Sequence, residues 1–236
     1  MIQEIIKQNL VPSNDYIFGI AHLSGIIDKK FGDYPCGISI GKRLNDKIID
    51  KIKNGPTLEY LEHYHQINIE LFEVAEKIKT DLTKAGIGSI IFKPTIPTNS
   101  KEFEKYMKTL RYEVSHKMIA TRAGLGWIGK TDLLISKEFG PRLRLVSILI
   151  DRQVPNGTIP VEKSKCGNCR ICVEKCPAGA ANGKLWNVNI DRDEFFDAYK
   201  CREKCGELTM KLLNVDKRIC GICVSICPKG RKTKNQ

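Results

Sequence analysis

The run Cys166-Gly-Asn-Cys169-Arg-Ile-Cys172-Val-Glu-Lys-Cys176-Pro177 constrains this chain more than any other stretch. Three cysteines at two-residue intervals, then a fourth before proline, have the spacing that holds four-iron four-sulfur (4Fe-4S) clusters, the fourth ligating a second cluster where two are present. The ending is repeated in Cys220-Gly-Ile-Cys223-Val-Ser-Ile-Cys227-Pro228, with Cys201 and Cys205 between the two runs. Pro177 and Pro228 push the preceding cysteine into an extended conformation, away from its neighbours. The spacing therefore predicts a crossed arrangement. Cys166, Cys169, Cys172 and the distant Cys227 form one set; Cys220, Cys223, the distant Cys176 and one of Cys201 or Cys205 form the other. Two adjacent clusters make a wire for electrons.

Other uses of cysteine fit less well. A disulfide framework belongs to short secreted chains. Zinc sites often add histidines to their paired cysteines, and no histidine follows His116. Clusters kept only for structure are compatible with the spacing, but a pair in series implies an end at which electrons are used.

A length of 236 residues accommodates one ordinary domain and a small cluster module. The segment Asp151-Arg-Gln-Val-Pro-Asn-Gly-Thr-Ile-Pro160 carries two prolines and a glycine and reads as a linker; nine of the ten cysteines lie beyond it. The expected organisation is α+β: a mixed α/β sheet domain over residues 1–155, then a ferredoxin-like double-cluster domain over 156–236. No opening segment resembles a signal peptide and no apolar stretch reaches membrane-spanning length, so a cytoplasmic protein without a membrane partner is expected. The formal charge of +12 is only partly offset by cluster loading. A basic surface of this kind attracts an acidic electron donor, a phosphate-bearing group or a nucleic acid. The tail Lys229-Gly-Arg-Lys-Thr-Lys-Asn-Gln236 reads as a solvated end.

Patterning along the first part alternates between helix and strand. Helices are expected at residues 1–10, 43–53, 101–110 and 113–123, and strands at 16–22, 38–40, 89–92, 133–136 and 143–150. Gly55-Pro56-Thr57 opens the longest helix, whose stripe of Tyr60, Tyr64, Ile67, Leu71, Ala75, Ile78 and Leu82 has the spacing of a face packed on a sheet. In Ala123-Gly-Leu-Gly-Trp-Ile-Gly-Lys130 three glycines surround a tryptophan at the end of a helix. Glycine lets backbone approach a flat ligand and Trp127 offers an apolar face; the same residues also suit a tight helix-to-strand turn. The glycine spacing is wrong for a dinucleotide fingerprint.

Arg122-Ala-Gly-Leu-Gly-Trp-Ile-Gly-Lys130 followed by the double cysteine module resembles the epoxyqueuosine reductase family, with the parts in the same order from the strand at residues 16–22 through Cys227-Pro228. The resemblance implies a cobalamin-dependent reductase with two 4Fe-4S clusters, related in architecture to reductive dehalogenases. It implies that electrons from a reduced ferredoxin or flavodoxin-type donor pass through the clusters to cobalt, above which a small molecule or modified nucleoside is reduced. A simpler electron carrier or activator for a separate corrinoid or redox partner is the alternative.

By that resemblance Gly124, Leu125, Gly126, Trp127, Ile128, Gly129 and Lys130 lie against the corrinoid. Asp197-Ala-Tyr-Lys-Cys201 matches the family's Asp-Ala-x-x-Cys stretch and favours Cys201 as the eighth cluster ligand. The family's acidic proton donor, in an Asp-x-x-Pro pattern, has no counterpart in Leu110-Arg-Tyr-Glu113, so Glu113, His116 and Tyr112 are the candidate proton donors. The chain has no helical-repeat extension of the kind many members use for tRNA, which makes tRNA a doubtful partner and a different substrate the expectation.

Overall fold

A computed structural model of the chain describes residues 1–155 and 158–230. The end of the basic tail, residues 231–236, and Asn156 and Gly157 of the linker lie outside the described residues. In chain order the elements are α1 (Ile2–Asn9), β1 (Tyr16–His22), β2 (Cys36–Arg43), α2 (Asp46–Lys51), α3 (Leu58–Lys84), β3 (Ser89–Phe92), α4 (Lys101–Thr109), α5 (His116–Arg122), β4 (Gly126–Ile128), β5 (Leu134–Ser136), β6 (Leu143–Ile150), α6 (Ile171–Glu174), α7 (Ala198–Leu213) and α8 (Ile222–Ile226). No helix among the described residues is long and apolar enough to cross a membrane.

The chain divides into two compact units. One comprises Met1–Arg43, Ile67–Leu125 and Arg144–Val161; the other comprises Leu44–Gln66, Gly126–Leu143 and the chain from Glu162. Neither is continuous in sequence: residues 44–66 and 126–143 group with the cysteine runs, whereas the linker at 151–160 points to a single boundary near 155.

The first unit is built on a four-stranded sheet of order β1-β2-β6-β3, with β1 antiparallel to β2 and β3 antiparallel to β6. The inner strands are the most buried. Ile38 and Ile40 of β2 are buried, and so are Val146, Ile148, Leu149 and Ile150 of β6, whose apolar run is that of a strand covered on both faces. Helix α5 packs on β1 and β2. The stripe of α3 is buried at Ile67, Leu71, Val74, Ala75, Ile78 and Leu82, each large side chain contributing about 1.5–3 kcal/mol. Polar ends tie α3 to the sheet: Lys42 of β2 pairs with Glu70, and Arg144 Nε of β6 donates to Asn68 Oδ1 at 2.9 Å. At the far end Asn9 Nδ2 of α1 donates to Asp81 Oδ2 at 3.1 Å.

Several boundaries differ from the sequence expectation, for local reasons. Strand β2 runs to Arg43, so the helix expected from residue 43 starts at Asp46, where Asn45 Oδ1 accepts from Lys47 N at 2.9 Å. Likewise α5 begins at His116 rather than 113, because Ser115 Oγ accepts from Met118 N at 3.3 Å. A side-chain acceptor at the cap satisfies an amide that helical bonding leaves open, and that sets the start.

In the second unit β4 and β5 form an antiparallel hairpin, and α8 packs on both α2 and α6. Arg142 binds this unit together: Nη1 donates to Asp46 Oδ1 at 2.9 Å, and Nη2 to Asp50 Oδ1 at 2.7 Å and Ser225 O at 3.2 Å. Its side chain is 1% exposed, so one buried guanidinium holds α2 and α8 at once.

Candidate metal centre

Both cysteine runs lie in the second unit, on short helices and the turns that precede them. Cys166 and Cys169 flank a turn closed by Cys169 N to Cys166 O at 3.3 Å, and Cys172 rides on α6. Helix α8 ends at Cys227, whose backbone is extended (φ −61°, ψ 128°) before Pro228, as proline demands. The packing of α6 against α8 sets Cys172 among Cys227, Cys166 and Cys169. Burial, and then the charge of those three neighbours, pushes the Cys172 thiol up to about 11.

The second group forms where α7 meets α8. Asp197 caps α7 through Oδ1 and Lys200 N at 2.9 Å, placing Cys201 in the first turn and Cys205 one turn later. The Cys205 thiol is hydrogen-bonded to both Cys201 and Cys220. As the donor it draws Cys220 down to about 7 and lowers Cys201, while its own thiol is driven strongly upward. Cys223, half-buried, accepts a hydrogen bond from Thr131 and lies near Cys220 and Cys201. Cys201 and Cys205, the two candidates for one ligand position, thus lie one turn apart and both beside Cys220. Cys176 follows α6, half-buried, with its carbonyl accepting from Gly179 N at 3.1 Å.

Cys166, Cys169, Cys172 and Cys227 in one group and Cys201, Cys205, Cys220 and Cys223 in the other fit iron-sulfur clusters better than zinc. A structural zinc draws four donors to about 2.3 Å from one point. Among the described residues no three His, Cys, Asp or Glu side chains converge on one ion. A 4Fe-4S core instead takes each of its four thiolates on a different iron, which suits a wider spacing.

The glycine segment is engaged by the chain itself. Gly124, in the left-handed region at φ 71°, ends α5: its amide bonds Thr121 O at 3.1 Å and that of Leu125 bonds Ala120 O at 3.0 Å. Gly126 already belongs to β4, where a Cβ would run into Ile135 O of the paired strand; Gly129 faces the Ile135 side chain. The turn expected here is therefore confined to 123–125. Leu125, Trp127 and Ile128 are buried.

Beyond the glycines, this segment turns polar groups toward the cysteines. Trp127 Nε1 donates to Cys166 Sγ at 3.4 Å. Lys130, 3% exposed, donates through Nζ to Gly167 O and Cys169 O, both at 2.9 Å. Thr131 reaches Cys223. Sequence reasoning saw an apolar face in Trp127 and missed the roles of its N–H, of Lys130 and of Thr131. The available signal was a lysine and a threonine directly following four residues of apolar character.

The three candidate proton donors lie in the first unit. Glu113 is paired with Lys30 near the surface. Tyr112 and His116 stand ring against ring, 5.4 Å between centroids at 57°, with Tyr106 on the other side of Tyr112. His116 Nε2 faces Lys93 O at 3.0 Å and Nδ1 faces Ser147 Oγ at 2.9 Å. A carbonyl only accepts, so Nε2 carries the proton and Nδ1 of the neutral ring accepts from Ser147. Burial, with Arg144 and Lys117 adding positive charge, lowers the imidazole to about 4 against the Lys93 carbonyl that raises it. The structure brings Tyr112 and His116 together and turns Glu113 to Lys30.

No family model matches the chain. Epoxyqueuosine reductase of Cyclobacterium marinum is 29% identical over 216 residues, covering 82% of this chain and 64% of the relative; the chain thus spans less than two thirds of that relative's length. Among solved structures, the catabolic reductive dehalogenase NpRdhA in complex with 3-bromo-4-hydroxybenzoic acid superposes with a TM-score of 0.65 at 17% identity, covering 92% of this chain and 30% of that one. Epoxyqueuosine reductase with an epoxyqueuosine-modified tRNA-Tyr stem loop gives 0.58 at 16% identity, covering 96% and 64%. The chain is thus similar in sequence to epoxyqueuosine reductases and shares its fold with them and with reductive dehalogenases.

Proposed function

We propose that this protein is an iron-sulfur reductase. In this reading Cys166, Cys169, Cys172 and Cys227 hold one 4Fe-4S cluster, and Cys176, Cys201, Cys220 and Cys223 hold the other. The observation that carries it is the gathering of Cys172 with Cys166, Cys169 and the sequence-distant Cys227. Bound there, the clusters supply a one-electron relay toward a cobalamin, the acceptor that kinship supports. The chain's own residues do the holding: α6 and α8 present the thiols, Trp127 and Lys130 brace the first cysteine loop, and the basic surface draws in a reduced ferredoxin or flavodoxin-type donor. A modified nucleoside is the substrate class that the relatives favour. Tyr112 stands as the candidate proton donor, since His116 is neutral at pH 7 and Glu113 is salt-bridged.

Support for cobalamin comes from kinship rather than from the glycine segment, because the open faces of Gly124, Gly126 and Gly129 are filled by Ile159, Thr158 and Ile135 of the same chain. That packing favours a second reading, an electron carrier or activator that serves a separate corrinoid protein. Anaerobic reconstitution separates the two. The reductase reading expects about eight irons per chain, stoichiometric cobalamin uptake and a cobalt spectrum that changes when dithionite is added. Eight irons without cobalamin uptake leaves the carrier; a chain that takes up no iron refutes both.

A further inference from the structure

Lys130 presents a physical problem that the fold alone does not solve. It is 3% exposed, and the acceptors of its ammonium, Gly167 O and Cys169 O, are neutral carbonyls. Burying a charge among neutral dipoles is costly unless an opposite charge stands close by. Both carbonyls belong to the loop that carries Cys166 and Cys169, so the ammonium is held against that loop. Four thiolates around a cluster core bring the missing negative charge. The second observation is independent: Trp127, 7% exposed, aims its indole N–H at Cys166 Sγ at 3.4 Å. Indole nitrogen is a donor with no acceptor capacity, and the Cys166 sulfur is the acceptor it meets.

We infer that Trp127 and Lys130 are positioning residues that raise the reduction potential of the first cluster. This rests on the two-cluster reading above. In the couple concerned the cluster gains one electron from an external reductant and its net negative charge grows by one. A hydrogen bond to a ligand sulfur and a nearby cation both stabilise the more negative, reduced form, and potentials of such clusters follow net charge and hydrogen bonds to sulfur. The β4–β5 hairpin sets both groups at their stations: Gly126 allows the tight pairing with Ile135, Trp127 projects from the strand, and Lys130 follows its end. The second cluster shares neither group, so the pair acts on one cluster and separates the two in potential.

The test is a mediated redox titration of the anaerobically reconstituted protein, followed by electron paramagnetic resonance, on wild type, Trp127→Phe and Lys130→Gln. Phenylalanine keeps the apolar ring and removes the N–H; glutamine keeps a donor and removes the charge. Each variant is expected to shift the first cluster toward the oxidised form by roughly tenfold at a given potential, about 59 mV for one electron, with the second cluster moved by much less. Pulsed resonance of the reduced wild-type protein in deuterated water adds a readout independent of folding: an exchangeable deuteron coupled to the first cluster, lost in Trp127→Phe. Clusters that load fully with unchanged potentials, or a wild type without that coupling, overturn the inference while leaving the two-cluster reading intact. A wild type that binds no iron overturns both.

Discussion

At the scale of single residues the informative side chains are those whose surroundings oppose their usual chemistry. His116 is one. Its folded-state value of about 4 lies below the 6.5 of an unconstrained imidazole, so between those limits the unfolded chain binds the extra proton and stability falls as pH falls. Thermal unfolding measured from pH 7 to pH 4.5 should show that slope, at most about 1.4 kcal/mol for each unit of pH. His116→Gln, which keeps a hydrogen-bonding side chain, should flatten it relative to wild type. Cys201 and Cys205 pose a different contest, because one thiol bridges the other and Cys220. If Cys201 is the ligand, Cys201→Ser should retain only about half the iron of the wild type, the share of one of two clusters, while Cys205→Ser should retain nearly all of it. The reverse result assigns the position to Cys205.

At the scale of elements, legibility followed locality. The strands at Tyr16–His22, Ser89–Phe92 and Leu143–Ile150 coincide with apolar runs in the sequence, and the stripe of α3 is buried except at Tyr64, which is half-buried. Helix starts were less legible, because one polar side chain at Asn45 or Ser115 decides them. Strand β4 was not legible at all. Three residues hold no period, and Gly126-Trp-Ile128 becomes a strand only because Ile135 pairs with it. Arg142 belongs to this class as well: nothing near it in sequence announces Asp46, Asp50 or Ser225. Arg142→Met should lower stability by about 2 kcal/mol in anaerobic urea denaturation. That is less than the roughly 3–5 kcal/mol for a charge left stranded in a core, because the remaining Asp46 and Asp50 carboxylates reach solvent. An unchanged midpoint would show that the guanidinium is not what joins α2 to α8.

At the scale of the whole molecule charge and chain connectivity matter most. A formal +12 predicts fast encounter with an acidic donor. Stopped-flow reduction by an acidic ferredoxin should slow several-fold between about 50 mM and 500 mM salt, as screening shortens the reach of the field; a salt-independent rate would remove the charge-steered donor from the proposal. Cysteine spacing, proline and apolar period are properties of neighbours in the chain, and from them alone came the eight-thiol inventory, the crossed grouping as an expectation, and most of the sheet. Which segments keep company was decided by tertiary structure, since residues 44–66 and 126–143 join the cysteine runs across long stretches of sequence. The Gly124–Lys130 segment shows why. Its composition states that backbone must pass close to something, but only folding reveals that the something is Ile135 and that its indole N–H and ammonium are turned to the loop of Cys166 and Cys169. Close approach is written in glycine, whereas the identity of the partner depends on contacts far apart in sequence.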